Sequence, residues 1–267
     1  MTLALIAGTG ALPAALISAL PDRPLVCALD GFAPQVTTDV VFRLERLVPF
    51  LRDLGARGVT EVAFAGAVRR PRLDPALFDP ATAQLVPRLV TAMQAGDDAT
   101  LREIIALFEE ADLAVKGVAE IAPALLPVAG VLVGRVTARD EADAARAAAI
   151  VAALGAVDVG QGACVAQGQC LAVEALPGTD AMLAGLVALP GALRPDANQG
   201  RGLLYKAAKP GQDMRIDLPT IGVETLRGVA AAELGGVAFQ AAAVICLGLD
   251  DMRAEADRLG LFLWARA

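Results

Sequence analysis

Leu3–Ala7 is a short apolar run that passes directly into Gly8-Thr9-Gly10-Ala11-Leu12-Pro13 and then into an Ala/Leu-rich helical pattern reaching about Leu20. A run of this length bounded by glycine reads as a buried strand. Strand, glycine-rich turn and helix form the phosphate-binding opening of a Rossmann-like unit. A strand buried on both faces needs helices above and below it, so this opening commits the chain to a layered α/β arrangement. The pattern continues in kind. Leu25–Leu29 predicts a second strand, Val48–Gly58 a helix stopped by glycine, Glu61–Gly66 a third strand, and Leu113–Gly117 a fourth. Helices are expected over Thr82–Gly96 and from about Ala99 to Ala111; Asp98 suits a cap for the latter, and the adjacent aspartates Asp97 and Asp98 also suit a metal or a ribose, with capping preferred for Asp98. Such alternation indicates a parallel sheet. Proline occupies position 13, so the full Gly-x-Gly-x-x-Gly fingerprint is absent and the turn is not read as an NAD site.

The second half has a different rhythm. Pro123, Pro127, Gly130 and Gly134 punctuate 122–139, and a linker is placed at 126–139, between an N-terminal domain (1–125) and a C-terminal domain (140–267). An Ala-rich helix is expected over Asp140–Leu154. Val157–Val165 and Cys170–Glu174 read as a hairpin turning near Gly168. A helix opening at Pro177 has Thr179 or Asp180 as its cap. Gly202–Ala207 reads as a strand, Pro219–Leu234 as a helix, Val237–Gln240 and Ala243–Leu247 as short strands, and Asp250–Leu259 as a helix, with Leu261–Trp264 closing. This domain is expected to be mixed α/β, with helices over a sheet.

Composition removes whole classes of chemistry. The chain has no histidine, so it holds no imidazole base, no Ser-His-Asp triad and no histidine metal ligand. Its one serine, Ser18, falls on a predicted helix. Cys27, Cys164, Cys170 and Cys246 form no Cys-x-x-Cys pair and read as reduced core thiols. Catalysis would have to use carboxylates, lysines, arginines, backbone amides or a hard metal ion with oxygen ligands. A formal net charge of −7 argues against general affinity for nucleic acid or anionic lipid. The chain is 56% hydrophobic, yet the uncharged runs at about 121–134 and 234–249 fall short of the ~20 residues of a span and are broken by proline or glycine. With no basic region at the N-terminus, a secretory signal is not expected. A soluble cytoplasmic protein is the expectation, with peripheral contact at a membrane left open.

Polar residues gather in a few loops. The richest, 206–222, carries Lys206, Lys209 and Arg215 with Asp213 and Asp217, and then Leu218-Pro219 where a helix is expected to start. A carboxylate among cations at a helix N-terminus suits a phosphate, a metal ion or both, and a solvated capping loop fits the same residues equally well. Arg69 and Arg70 follow the third strand and suit a phosphate or carboxylate, or are plain surface arginines. Further polar loops hold Asp158 to Gly162, including Gln161, and Glu174 to Asp180, including Thr179. Carboxylates on separate loops with lysines beside them are what metal-assisted phosphoryl chemistry needs.

Six segments occur in an order that is specific as a set: 5–13 (LIAGTGALP), 64–71 (FAGAVRRP), 96–98 (GDD), 158–165 (DVGQGACV), 172–183 (AVEALPGTDAML) and 206–222 (KAAKPGQDMRIDLPTIG). On these the chain resembles, over nearly its whole length, the metal-dependent UDP-2,3-diacylglucosamine pyrophosphatases of lipid A biosynthesis, the LpxI type. The resemblance implies an N-terminal Rossmann-like domain, a C-terminal domain peculiar to the family, and a homodimer. It implies water attack on the sugar-side phosphorus, giving 2,3-diacylglucosamine 1-phosphate (lipid X) and UMP, with a divalent cation such as magnesium. It places the key aspartate at Asp217. Thr9 stands where glycine is common in the family, which loosens the case for the first loop and leaves the aspartate untouched. Combined with the residue reading, Asp217 is expected to bind the metal or orient the water, with Asp180 as a second metal carboxylate and Glu174 in support. Gly8, Gly10, Gly66, Arg69, Arg70, Gln161, Gly162, Thr179, Asp180, Lys206, Lys209, Arg215 and Thr220 are expected to bind substrate. Two acyl chains would need an apolar cleft, for which 181–193 and 234–249 are candidates, though such runs are more often core. A substrate carrying lipid would let an acidic protein without an anchor work beside the inner membrane. The competing readings are a non-catalytic nucleotide-sugar or lipid-phosphate binding protein and, disfavoured by the incomplete fingerprint, an NAD-type oxidoreductase.

Overall fold

The computed structural model describes residues 2–68 and 71–267. The chain divides into two compact units, Met1–Pro123 with Asp213–Asp217, and Ala124–Gln212 with Leu218–Ala267. In the first unit, strands β1 (Thr2–Ala7), β2 (Leu25–Leu29), β3 (Val40–Phe42), β4 (Val59–Ala65) and β5 (Ala114–Lys116) form one sheet in the order β3-β2-β1-β4-β5. Every pairing is parallel, with Ile6 opposite Cys27 on one side and Phe64 on the other. β1 is followed by β2 on one flank and, after a crossover, β4 lies on its other flank. The order therefore reverses at β1/β4, the place where open α/β sheets bind ligands at their carboxyl edge.

Helix α1 (Leu12–Ala19) follows β1, with Pro13 in its first turn, where a missing N–H costs nothing. Helix α2 (Leu47–Ala56) buries Leu47, Phe50, Leu51 and Leu54, spaced along one face. The expected helix over 82–96 is broken instead into α3 (Pro80–Ala83) and α4 (Val86–Ala95), because Pro87 can enter a helix only at its start. Helix α5 (Asp97–Glu109) begins one residue before Asp98. Gly96 (φ 124°) is the residue ahead of it, so Asp98 does not cap the helix but pairs with Arg102 at 2.5 Å. Phe42 stacks on Phe50 at 4.0 Å, and Phe108 meets the edges of Phe50 and Phe64 at 6.4 and 5.2 Å. Five of the chain's eight phenylalanines, these four and Phe32, are spent on this one core. The short helix α6 (Val118–Ile121) follows β5.

The second unit has a six-stranded mixed sheet. It comprises β6 (Gly130–Val133), β7 (Gly162–Ala166), β8 (Gln169–Val173) and β9 (Leu203–Lys206), then β11 (Gly236–Gln240) and β13 (Phe262–Arg266), ordered β6-β13-β11-β9-β7-β8. Two further short strands, β10 (Thr220–Ile221) and β12 (Ile245–Cys246), pair with each other in parallel. Helix α7 (Ala138–Gly155) lies on one face of the larger sheet. Its small buried residues Ala144, Ala147 and Val151 share a cluster with Leu203, Tyr205 and Ala238. The alternate residues Leu204, Val237, Phe239 and Leu263 face the other way. There they join α8 (Gly178–Val187), α9 (Val223–Ala231) and α10 (Leu249–Leu259) through Leu183, Val229 and Met252. Period-two alternation on both sides is what a sheet between two helical layers requires. Asp143 is buried on α7, but its two oxygens accept from the Gln167 and Gly168 amides at the β7–β8 turn (2.9 and 2.7 Å), so its burial is satisfied.

Three further expectations yield to the structure. The helix expected from Pro219 starts only at Val223. Pro219 and Ile221 instead accept from the Ile245 and Leu247 amides through their carbonyls, which draws 219–221 into an extended pair. The strand expected over 157–165 begins at Gly162, because Asp158 sits at φ 55°, outside strand geometry. Helix α8 starts at Gly178 with no side-chain cap, so neither Thr179 nor Asp180 serves as one. Among the described residues, no helix is long and apolar enough to cross a membrane.

Cys27, Cys164 and Cys246 are buried as expected, but Cys170 is exposed on β8. Burial pushes the Cys27 and Cys246 thiols up to about 12 and raises that of Cys164 as well. Since the thiolate is the reactive form, an aromatic disulfide reagent should titrate one thiol quickly in the folded protein and all four in denaturant. Cys170→Ser should abolish the fast phase; prompt reaction of two or more thiols would contradict this core. Glu255 on α10 is held down to about 2 by hydrogen bonds from Arg258 and from Arg227 of α9. A depressed carboxyl stabilises the fold above its ordinary pKa and loses that contribution as pH falls toward its folded value. Urea unfolding should therefore show Glu255→Gln less stable than wild type at pH 7. The two should converge as pH drops from about 4.5 to about 2.

Candidate functional site

In the first unit the site residues lie at the carboxyl edge of the parallel sheet. Gly8 and Gly66 follow β1 and β4, and between them the backbones cross. Thr9 and Ala67 exchange amide hydrogen bonds of 3.0 and 2.9 Å, and the Gly8 amide donates to the Ala65 carbonyl at 2.7 Å. A Cβ on Gly8 would stand 2.5 Å from the Ala67 oxygen, and one on Gly66 (φ 89°) 2.6 Å from the Thr9 oxygen. Only glycine permits that approach. Gly10 (φ 96°) has open space at its Cα and leads into α1. The loop seen as a phosphate cradle in sequence is thus pinned to the end of β4 at the topological switch point. Arg69 and Arg70 lie outside the described residues.

The same unit takes in the segment 213–217. Arg215 is its anchor. Its guanidinium donates to Asp213 through Nε (3.0 Å) and Nη2 (2.7 Å), and to Glu109 of α5 through Nη1 (2.6 Å). The Arg215 guanidinium accordingly holds the Asp213 carboxyl below the usual carboxylate range, against a smaller opposing effect of burial. Ile216 is buried in the phenylalanine-rich core. Gly117, which directly follows β5, is so close that a Cβ there would lie 3.0 Å from the Arg215 Cα. These contacts fix the segment beside the carboxyl end of β5, on the same sheet edge as the Gly8 and Gly66 loops. Asp217 ends the segment, exposed and at φ 59°, a left-handed conformation that aspartate tolerates and most residues avoid. It stands six positions ahead of Val223, so the expected placement at a helix N-terminus is corrected: Asp217 owes its position to an anchored loop.

The second unit gathers another set. Lys206, at the carboxyl end of β9, is buried and donates to Thr179 Oγ1 (2.7 Å) and Glu174 Oε1 (3.3 Å). The Thr179 hydroxyl donates to the same Glu174 oxygen at 2.6 Å. Glu174 Oε2 is buried and has no hydrogen-bond partner among the described residues, and a Cβ on Gly162 would lie 2.9 Å from it. The Glu174 amide donates to the Gly162 carbonyl at 2.8 Å. Nearby, Lys209 Nζ pairs with Asp158 at 2.5 Å. The Gln212 side-chain oxygen accepts from Gln161 Nε2 (3.0 Å) and from the Lys209 amide (2.9 Å). Thus Gln161, Gly162, Glu174, Thr179, Lys206 and Lys209 come together from three segments of the chain. Asp180 is exposed on the first turn of α8, and Thr220 is a strand residue whose hydroxyl donates to the Leu218 carbonyl at 3.2 Å.

All three cations of the 206–222 loop therefore hold carboxylates of their own units. Sequence reasoning missed Glu109, Gln212 and Gly117, because their roles depend on partners distant in the chain. The runs 181–193 and 234–249 supply much of the core, including Leu183, Leu186, Val237, Phe239 and Val244, while Leu176, Val187 and Leu193 are exposed. Among the described residues no three acidic or thiol groups cluster in a way that could hold a metal ion. The donor set still fits magnesium, which takes hard oxygen ligands and is commonly held by one or two carboxylates together with substrate phosphates and water. Asp217 offers an exposed carboxylate of that kind.

Comparison with known proteins fits this architecture. Residues 2–125 match the LpxI N-terminal domain and residues 128–264 the LpxI C-terminal domain. A curated protein of Caulobacter vibrioides, UDP-2,3-diacylglucosamine pyrophosphatase LpxI, is 38% identical over 271 residues, covering 98% of this chain and 96% of that protein. With both family domains matched in order and nearly the entire length aligned, this chain belongs to the LpxI family.

Proposed function

We propose that this chain hydrolyses the pyrophosphate bond of UDP-2,3-diacylglucosamine, releasing 2,3-diacylglucosamine 1-phosphate and UMP in lipid A biosynthesis. The observation that carries this reading is Asp217: an exposed carboxylate in a left-handed conformation, on a segment anchored at the ligand-binding edge of a parallel sheet. An unfavourable backbone conformation maintained by surrounding contacts is a mark of functional positions. The 38% identity to a named pyrophosphatase supplies the substrate.

In this reading, water oxygen bonds to the sugar-side phosphorus, and the bond from that phosphorus to the bridging oxygen breaks. The bridging oxygen leaves with UMP, while the water oxygen stays on lipid X. Asp217 orients the attacking water and would hold the divalent cation. When bound, magnesium neutralises diphosphate charge and polarises the phosphorus. Gly8 and Gly66 hold the two loops together, and Gly10, with open space beside it, leaves room for a phosphate group ahead of α1. Arg215 acts first as the strut that sets Asp217. Work at the surface of the inner membrane, and assembly as a homodimer, belong to the same proposal.

Turnover should be followed as UMP released from UDP-2,3-diacylglucosamine. Magnesium should support it and EDTA abolish it. Asp217→Asn should lower it by at least about a hundredfold with the melting temperature retained, the scale of a lost acid–base or metal-holding group. Near-normal turnover of that variant would remove Asp217 from the mechanism. No turnover with any divalent metal, with lipid X still bound, would favour the non-catalytic binding protein. The Lys206 cluster makes a separate prediction. Glu174→Gln leaves a buried ammonium without its counter-charge and should cost about 3 kcal/mol in urea unfolding, and adding Lys206→Met should recover much of that loss. Equal stability of Glu174→Gln and wild type would show that the pair is not held as ions.

A further inference from the structure

The second unit has a cleft of about 580 Å³ at the end of its sheet opposite Lys206. It lies where β9, β11 and β13 begin, beside the first turn of α7. Three arginines line it: Arg135, Arg139 and Arg201. Arg201 donates to the Gly260 carbonyl at 3.1 Å. Among the described residues, neither Arg135 nor Arg139 has an ion pair or hydrogen bond through its guanidinium. Arg139 is nonetheless positioned, since its stem runs over Gly200, where a Cβ would lie 3.3 Å from Arg139 Cγ.

The three arginines are exposed, and their charge is not balanced within the cleft. Arg139 sits in the first turn of an 18-residue helix, the end where the backbone dipole is positive and a cation is unfavourable. Two carboxylates share the cleft. Asp140 is buried and turned back onto Thr137, whose amide and hydroxyl donate to it at 2.9 and 2.6 Å. Asp257 is exposed on α10. Three guanidiniums against two carboxylates, one of them committed to a cap, leave an excess of positive charge in a concave site. The chain as a whole carries −7, so this excess is local and not part of a general polyanion surface. Guanidinium forks match the geometry of phosphate oxygens.

We propose that this cleft binds the phosphate group of a small molecule, at a site separate from the Lys206 cluster. The proposal does not depend on the hydrolysis reading. It is tested by calorimetric titration of the full chain in EDTA with inorganic pyrophosphate and with UMP, and by flotation with phosphatidylglycerol vesicles. Wild type is compared with Arg135→Gln/Arg139→Gln and with Arg146→Gln, an exposed arginine of α7 outside the cleft. The expected result is a binding event in wild type and Arg146→Gln that weakens at least about tenfold in the double variant, the scale of one charge-assisted hydrogen bond, with unchanged melting temperature. Arg135→Lys/Arg139→Lys, which keeps the charge and loses the forks, should fall between and serves if the glutamine variant is unstable. Response to pyrophosphate or UMP identifies a free phosphate ligand; response to vesicles alone identifies a lipid headgroup. Equal binding by the double variant and wild type, or no binding of any probe at about 1 mM, would overturn the proposal.

Discussion

Arg215 is the interaction on which the candidate site depends. Its guanidinium joins a carboxylate two residues away to one 106 positions earlier, Glu109 on α5. A planar fork does this better than an ammonium would, because each N–H has a fixed direction and two carboxylates can be held at a set angle. Ile216 adds hydrophobic burial next to the fork, and the absence of a side chain at Gly117 lets the backbone come close. Ionic, apolar and steric constraints act on three successive parts of one short segment. The left-handed turn at Asp217 is held at the end of that segment, which is how a conformation of intrinsically poor energy persists.

Pairing governs the other cations in the same way. Lys206, Lys209 and Arg215 each have a carboxylate partner, and in each case the pair also organises backbone. Lys206 is the most constrained because it is buried, and Thr179 bridges it to the Glu174 oxygen that it already contacts. A buried ammonium without such partners would be costly. Lysines grouped in a loop look like phosphate receptors in a sequence, but their first task in this fold is to hold loops together, and only their remaining N–H directions are open to a ligand.

The α/β character was legible because it rests on local signals. A short, mainly apolar run can be recognised without knowing its neighbours, and β1, β2, β4, β9 and β11 all fall where such runs occur, with β1 and β4 closed by Gly8 and Gly66. The errors came where a tertiary partner decides. Pro219 carries a local signal for a helix start, but hydrogen bonds to the segment around Ile245 draw 219–221 into an extended pair. Asp98 has the right chemistry for a cap and loses the position to Gly96 at φ 124°. Among site residues, the second-unit group from Gln161 to Lys209 was visible as a set of polar loops. Glu109 gave no signal at all, since a glutamate near the end of an amphipathic helix is ordinary until an arginine from a distant loop reaches it.

The chain leaves its first unit after Pro123 and returns for only five residues, 213–217, before leaving again. Those five include a buried side chain and the Arg215 fork, so the first unit is completed by a piece of chain made long after the rest of it. During synthesis the early sheet can form while its closing segment is still unmade, and it must wait with Gly117 and Glu109 uncovered. A polypeptide cut anywhere between the two parts would have to recover the missing strip from the other fragment. In this sense Asp217 reports on the whole molecule: its turn can be set only after both the earliest strands and the middle of the second unit have been built.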